Sequence, residues 1–163
     1  MATNAQKMSY PGSNATVGQF IGLADEYCVA AYVLLSQADR ASSSSSAPAR
    51  LCAIHAVEMY LNAFLVFHDV SPSEVRGMQH DLAQRVAMVT QKGLILRTKT
   101  QAHLLRIHDL REYLIVRYGP EQMGGLPELN RLYATLREVS VKVRTAILDQ
   151  GYDPSDSRFR RYW

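Results

Sequence analysis

Residues 51–67 read Leu-Cys-Ala-Ile-His-Ala-Val-Glu-Met-Tyr-Leu-Asn-Ala-Phe-Leu-Val-Phe. Wound as a helix, this stretch carries apolar side chains on nearly every side, which describes a central helix buried among its neighbours. One polar stripe remains: His55, Glu58 and Asn62 are spaced i, i+3, i+7 and line up along a single edge. Pro48 stands at a first-turn position, where its fixed φ suits the start of the helix.

Upstream, Phe20, Leu23, Tyr27, Ala31 and Leu34 recur at three- and four-residue steps and predict an amphipathic helix from a Thr16 N-cap to about Asp39. The serine tract Ala41–Ala47 between these helices is expected to be a mobile connector or a frayed helix edge. Downstream, Ser71-Pro72-Ser73-Glu74 spells a capping box and predicts a short helical turn. A third main helix is expected from Gln79 or His80, with Leu82, Val86 and Val89 inward, stopping at Gly93. The fourth is predicted from about Thr98 to Tyr118, closed by Gly119. After Pro127, Leu129, Leu132, Leu136, Val139, Val143 and Ile147 define a fifth, ending at Gly151. No segment reads as a strand. The expected fold is all-α: an up-and-down bundle of about five helices over residues 16–151, a flexible lead-in at 1–15 and a basic-aromatic tail at 152–163.

A chain of 163 residues, 47% hydrophobic and 20% charged, suits one globular domain. Its net charge of +3 permits anionic partners without the concentrated basic surface of a dedicated nucleic-acid binder. No apolar stretch is read as long enough to span a bilayer, and the start lacks a basic region followed by an apolar one, so a cytoplasmic location away from membranes is expected. Cys28 and Cys52 lie inside apolar helical patterns with only His55 nearby, and are expected as reduced core thiols. Gly-rich phosphate loops and nucleophile elbows are absent from the sequence, and neither a cofactor nor a metal site is expected. The tail, with Arg158, Arg160 and Arg161 among Phe159, Tyr162 and Trp163, is expected to pack or fray. Stacking on single-stranded nucleic acid is its functional alternative.

Projected at about 100° per residue, the fourth helix puts Leu104, Ile107, Leu114, Ile115 and Tyr118 on one face with Arg111 in its middle. A buried guanidinium needs a carboxylate, a cleft or a second subunit, and Glu58 is the expected partner in a structural polar pair. The functional alternative is that Arg111 borders an anion site. His108 lies one turn earlier on a neighbouring edge, while Arg117 projects the other way with Arg106 and Tyr113. From Arg97 to Tyr118 the chain holds five basic residues (Arg97, Lys99, Arg106, Arg111, Arg117) and two acidic ones (Asp109, Glu112), a local +3 to which a phosphate-bearing partner would come.

The segment Ala53–Leu65, the triplet His80-Asp81-Leu82, and Leu110-Arg111 with Arg117-Tyr118-Gly119, in that order and spacing, resemble the HEPN family of small prokaryotic helical domains. The resemblance runs from about Val17 to Ile147. It implies a helical bundle that dimerises and, in active members, a metal-independent ribonuclease using an Arg separated by four to six residues from a His. Arg111 matches the Arg, but the positions open to that His hold Val116, Arg117 and Tyr118. Arg117 stays protonated near neutral pH and cannot serve as a general base. The resemblance therefore implies a non-catalytic dimeric module that binds RNA, a nucleotide or a partner protein, in a toxin–antitoxin or defence setting. The pair Arg97 and His103 has the formal spacing, but Arg97 precedes the helix and His103 lies off the centre of its apolar face.

Two enzymatic alternatives stand beside this reading. One is a ribonuclease with a displaced base, in which His108 serves Arg111. The other is an HD-type metal phosphohydrolase built on His80-Asp81, His108-Asp109 and His55, which requires clustered hard-metal ligands. A ferritin-like di-iron site is excluded because the sequence contains no Glu-x-x-His. In a purely structural protein, the last two helices would form a homodimer with two Arg111 groups near one groove.

Overall fold

The structure, a computed structural model, describes residues 10–39 and 41–148; the basic-aromatic tail and the helix end expected at Gly151 lie outside the described residues. Among the described residues there are seven α-helices, two 3₁₀ turns and no strand, an all-α helical bundle. Helix α1 (Val17–Gln37) starts at Thr16, whose hydroxyl accepts from Gln19 N–H while Gln19 Oε1 accepts from Thr16 N–H. The serine tract forms a 3₁₀ turn, Ser43–Ser46, that runs into α2 (Ala47–Phe67). Helix α3 (Pro72–Gly77) is capped by the Ser71 hydroxyl, and α4 (Leu82–Gln91) by the Asp81 carboxylate, which accepts from Gln84 N–H.

Two expected boundaries move. The third main helix starts at Leu82, because Gln79 takes a left-handed backbone (φ +47°) and Asp81 is its cap, leaving His80 in the preceding turn. It ends as expected: Gly93, at φ +96°, lets Leu94 N–H reach Val89 C=O and Gly93 N–H reach Thr90 C=O. The single helix expected over Thr98–Tyr118 is broken into α5 (Thr98–Asp109) and α6 (Glu112–Tyr118) by Arg111 itself, which adopts φ +51°. A second 3₁₀ turn, Pro120–Gly125, then leads to α7 (Leu129–Leu148).

Helix α2 is the hub, packed by α1, α7, α4 and α6, while α5 packs on α4 and α7. Tyr60, Leu61, Phe64 and Leu65 of α2 join Leu104 and Ile107 of α5 and Leu132, Leu136 and Val139 of α7 in one continuous core. Burying such side chains contributes roughly 1.5–3 kcal/mol each. By length and composition the Ser43–Phe67 helical stretch is apolar enough to cross a membrane, contrary to the expectation that no segment would be, and 67% of its most apolar window is buried inside the chain. Both cysteines are free thiols: Cys28 is buried, with burial pushing its thiol up to about 11, and Cys52 is half-buried.

Buried polar groups pin the helices in register. Tyr60 OH donates to Asp25 Oδ1 at 2.7 Å, and Arg144 donates to the same oxygen, tying α1, α2 and α7 together. Arg50, in the first turns of α2, donates to Glu112 Oε1 at 2.7 Å and to the Pro127 carbonyl at 2.6 Å.

Candidate functional site

The polar stripe of α2 lies where the turn before α4 crosses it. Glu58 is buried, and its carboxylate faces His80 from that turn, with His80 Nδ1 at 3.2 Å from Oε1 and 3.1 Å from Oε2. An ionised carboxylate only accepts, so His80 donates from Nδ1 and its Nε2 becomes the outward-facing nitrogen. His55, one turn before Glu58, places its own Nδ1 3.7 Å from the same Oε2. The side chains of His55 and His80 stay 28% and 35% exposed, against 3% for Glu58, so a buried anion sits behind two imidazoles that solvent can reach.

Several neighbours fix this arrangement. Arg85 is buried beneath it, donating from Nε to Asn62 Oδ1 at 2.9 Å, from Nη1 to Asp81 C=O at 3.1 Å, and from Nη2 to Gln79 C=O. These bonds hold the turn that carries His80 against α2, and they satisfy a charge that burial would otherwise make costly. The His80 ring lies against Tyr113 of α6 (centroids 4.7 Å apart), and the His55 ring meets Tyr27 of α1 edge-on at 4.3 Å. Burial alone would raise the Glu58 carboxyl; contacts from His55 and His80 and the charge of Arg85 outweigh it and hold the carboxyl below its ordinary range. Beside this cluster, His108 Nδ1 of α5 stands 3.4 Å from Asp81 Oδ1.

The expected Glu58–Arg111 pair is not what forms. Among the described residues Arg111 makes no side-chain hydrogen bond or ion pair, and Glu58 is engaged by the two histidines. The physical reason is the helix break: a 100° projection holds only while the backbone stays helical, and the left-handed turn at Arg111 swings its side chain off the apolar face into solvent. Arg106 and Arg117 are exposed as well, and His108 is half-buried. The formal pair Arg97 and His103 is divided: Arg97 is an exposed helix cap near Glu138, whereas His103 is buried, with Nδ1 2.9 Å from Thr135 Oγ1. Burial and the charges of Arg131, Arg106 and Arg50 push His103 down to about 4, so it is a neutral core residue.

The cluster brings together His55, His80-Asp81 and His108, yet no three His, Cys, Asp or Glu side chains among the described residues are placed to hold a metal ion. This donor set does not supply what an HD-type site needs. Sequence reasoning found His55, Glu58 and Asn62 as a stripe and missed that His80 completes it and Arg85 braces it. A histidine beside a capping aspartate, in the turn after a helix with a lone buried glutamate, was the available signal. Compared with known proteins, the chain matches no family model, and no curated protein or solved structure matches it significantly.

Proposed function

We propose that this chain is a HEPN-like helical module that binds RNA along the outer surface of α5 and α6. The observation that carries the reading is an asymmetry of charge. All five basic side chains from Arg97 to Arg117 are exposed, while Glu112, one of the two acidic ones, is buried against Arg50. The exposed charge of this segment is thus more positive than its sequence count, and a phosphate backbone is the partner such a face attracts. Exposed Tyr118, at the end of α6, offers a ring on which a base can stack.

The test is RNA binding as a function of salt, comparing the wild type with Arg106→Glu, Arg111→Glu and Arg117→Glu. Each reversal should weaken binding and flatten the dependence of log affinity on log salt. Binding that ignores all three changes sinks the reading. Two copies are proposed to meet through Leu110, an apolar side chain left open at the junction of α5 and α6. A monomer by light scattering at high micromolar concentration removes that part alone.

A further inference from the structure

Three groups converge at the turn before α4. His80 Nδ1 lies 3.2 Å and 3.1 Å from the two Glu58 oxygens, so its N–H is committed to a buried carboxylate. The His80 ring rests on Tyr113 of α6, and the next residue, Asp81, faces His108 of α5 at 3.4 Å. Both flanks of the α5–α6 junction therefore touch this turn, and between them stands exposed Arg111, whose guanidinium makes no side-chain hydrogen bond or ion pair. We propose that His80 is a phosphoryl-accepting histidine, its Nε2 taking the group while Glu58 orients the ring and Arg111 meets the phosphoryl oxygens; this stands independently of the RNA-binding reading above.

An imidazole attacks through a ring nitrogen that carries a lone pair, and holding the proton on Nδ1 leaves that lone pair on Nε2. The Glu58 side chain is 3% exposed and that of His80 35%, so the anion grips the ring from behind and the nucleophilic nitrogen points away from it. Arg85 fixes the turn through Asn62 and two carbonyls, which keeps the ring in place. Each of the other histidines lacks a part of this arrangement. His55 Nδ1, at 3.7 Å from Oε2, is beyond a hydrogen bond. His108 faces an exposed carboxylate oxygen that already accepts from Gln84 N–H. His103 is buried against Thr135, and His68 packs on Phe64 and Phe67 with its Nε2 buried. What selects a phosphoryl group among electrophiles is Arg111, because an unpaired guanidinium favours a group with several anionic oxygens.

The donor is a phosphoramidate, a phosphoryl group carried on a protonated nitrogen. The Nε2 lone pair forms a bond to phosphorus, and the bond from phosphorus to the donor nitrogen breaks. Its electron pair leaves on that nitrogen, which departs as a neutral amine. No proton has to be removed from the ring, which becomes cationic as it takes the phosphoryl group. Glu58, still holding the Nδ1–H, balances the charge that the ring acquires.

The experiment treats the full chain with potassium phosphoramidate at mildly alkaline pH, where free imidazole is neutral, and follows each histidine by mass spectrometry and phosphorus NMR. The wild type should take one phosphoryl group, on His80 Nε2, stable to alkali and labile to acid, at least about 10-fold faster than the chain unfolded in urea. Buried His103 should stay unlabelled and reports on unfolding. His80→Gln should abolish this labelling. Glu58→Gln should lower the rate at His80 by about 10–100-fold relative to His108. A loss of packing alone would instead expose His103 and speed labelling at every histidine. Arg111→Ala, a surface change, should slow His80 by about 10-fold, and Arg111→Lys should restore part of the rate. A wild-type rate at His80 no greater than in the unfolded chain overturns the proposal, as does preferential labelling of another histidine or of Nδ1. Where Glu58→Gln exposes His103, the surface variant decides: an unchanged rate in Arg111→Ala overturns it too.

Discussion

Arg50 donates from Nη1 to Glu112 Oε1 at 2.7 Å, and both side chains are almost wholly withdrawn from solvent. The pair locks the start of α6 onto the start of α2, next to the left-handed turn at Arg111 that separates α6 from α5. Burial pushes the Glu112 carboxyl above its ordinary range, and the charge and hydrogen bond of Arg50 offset only part of that. Arg50→Met should then lower stability by about 3–5 kcal/mol at neutral pH, since a buried carboxylate is left without its cation. A carboxyl whose folded value is raised contributes stability below its unfolded value and loses it as pH rises, so this variant should recover toward acid pH in urea unfolding. Arg50→Met with Glu112→Leu should lie much nearer the wild type than Arg50→Met alone. Equal loss in both would show that the pair does not act as a unit.

His103 gives the wild type a stability component of opposite sign. Its folded value is depressed to about 4 from 6.5, so the stability that depends on its neutral form is complete above pH 6.5 and is lost as pH falls toward 4. Denaturant unfolding across that window should show a slope approaching one proton, amounting to a few kcal/mol, roughly. His103→Leu should remove this component, and an unchanged slope in that variant would assign it to other groups.

Arg85 is the brace of the His80 turn. Arg85→Lys keeps the charge but cannot reach Asn62 and the two carbonyls together, and should cost about 1–3 kcal/mol. Amide hydrogen exchange should accelerate first at residues 79–82. A uniform loss of protection across the chain would mean that Arg85 supports the whole core instead.

Arg111 occupies a backbone conformation that L side chains seldom adopt. Arg111→Gly should therefore raise the free energy of unfolding by about 0.5–1 kcal/mol, even as it weakens RNA binding. A variant that unfolds more easily would show that the arginine side chain, and not the turn, stabilises this junction.

Glu58→Leu tests how the buried site is held. It removes the buried negative charge that, with Asp81, favours the charged form of Arg85, and should destabilise the fold by about 3–5 kcal/mol. Adding His80→Leu should change stability little further, because the pair's contact is already gone. Fully additive losses would argue against the contact.

What the sequence determined on its own is whatever depends on neighbours within about one helical turn. Thr16 and Ser71 cap the helices that follow them, Gly93 closes α4, the three- and four-residue apolar steps locate α1 and α7, and the all-round apolar run locates α2, because capping and apolar patterning are local physics. The stripe of His55, Glu58 and Asn62 was legible for the same reason. Its partners were not: His80 lies 22 residues from Glu58, Arg85 lies 23 from Asn62, and Glu112 lies 62 from Arg50. Which of several cations meets a buried carboxylate depends on how helices stack in space, and apolar spacing gives no account of that. The break at Arg111 is the sharpest case. No proline or glycine marks it, so periodicity carries one helix straight through, and only the packing of α6 onto α2, fastened by Arg50 and Glu112, turns the chain there and leaves Arg111 facing solvent.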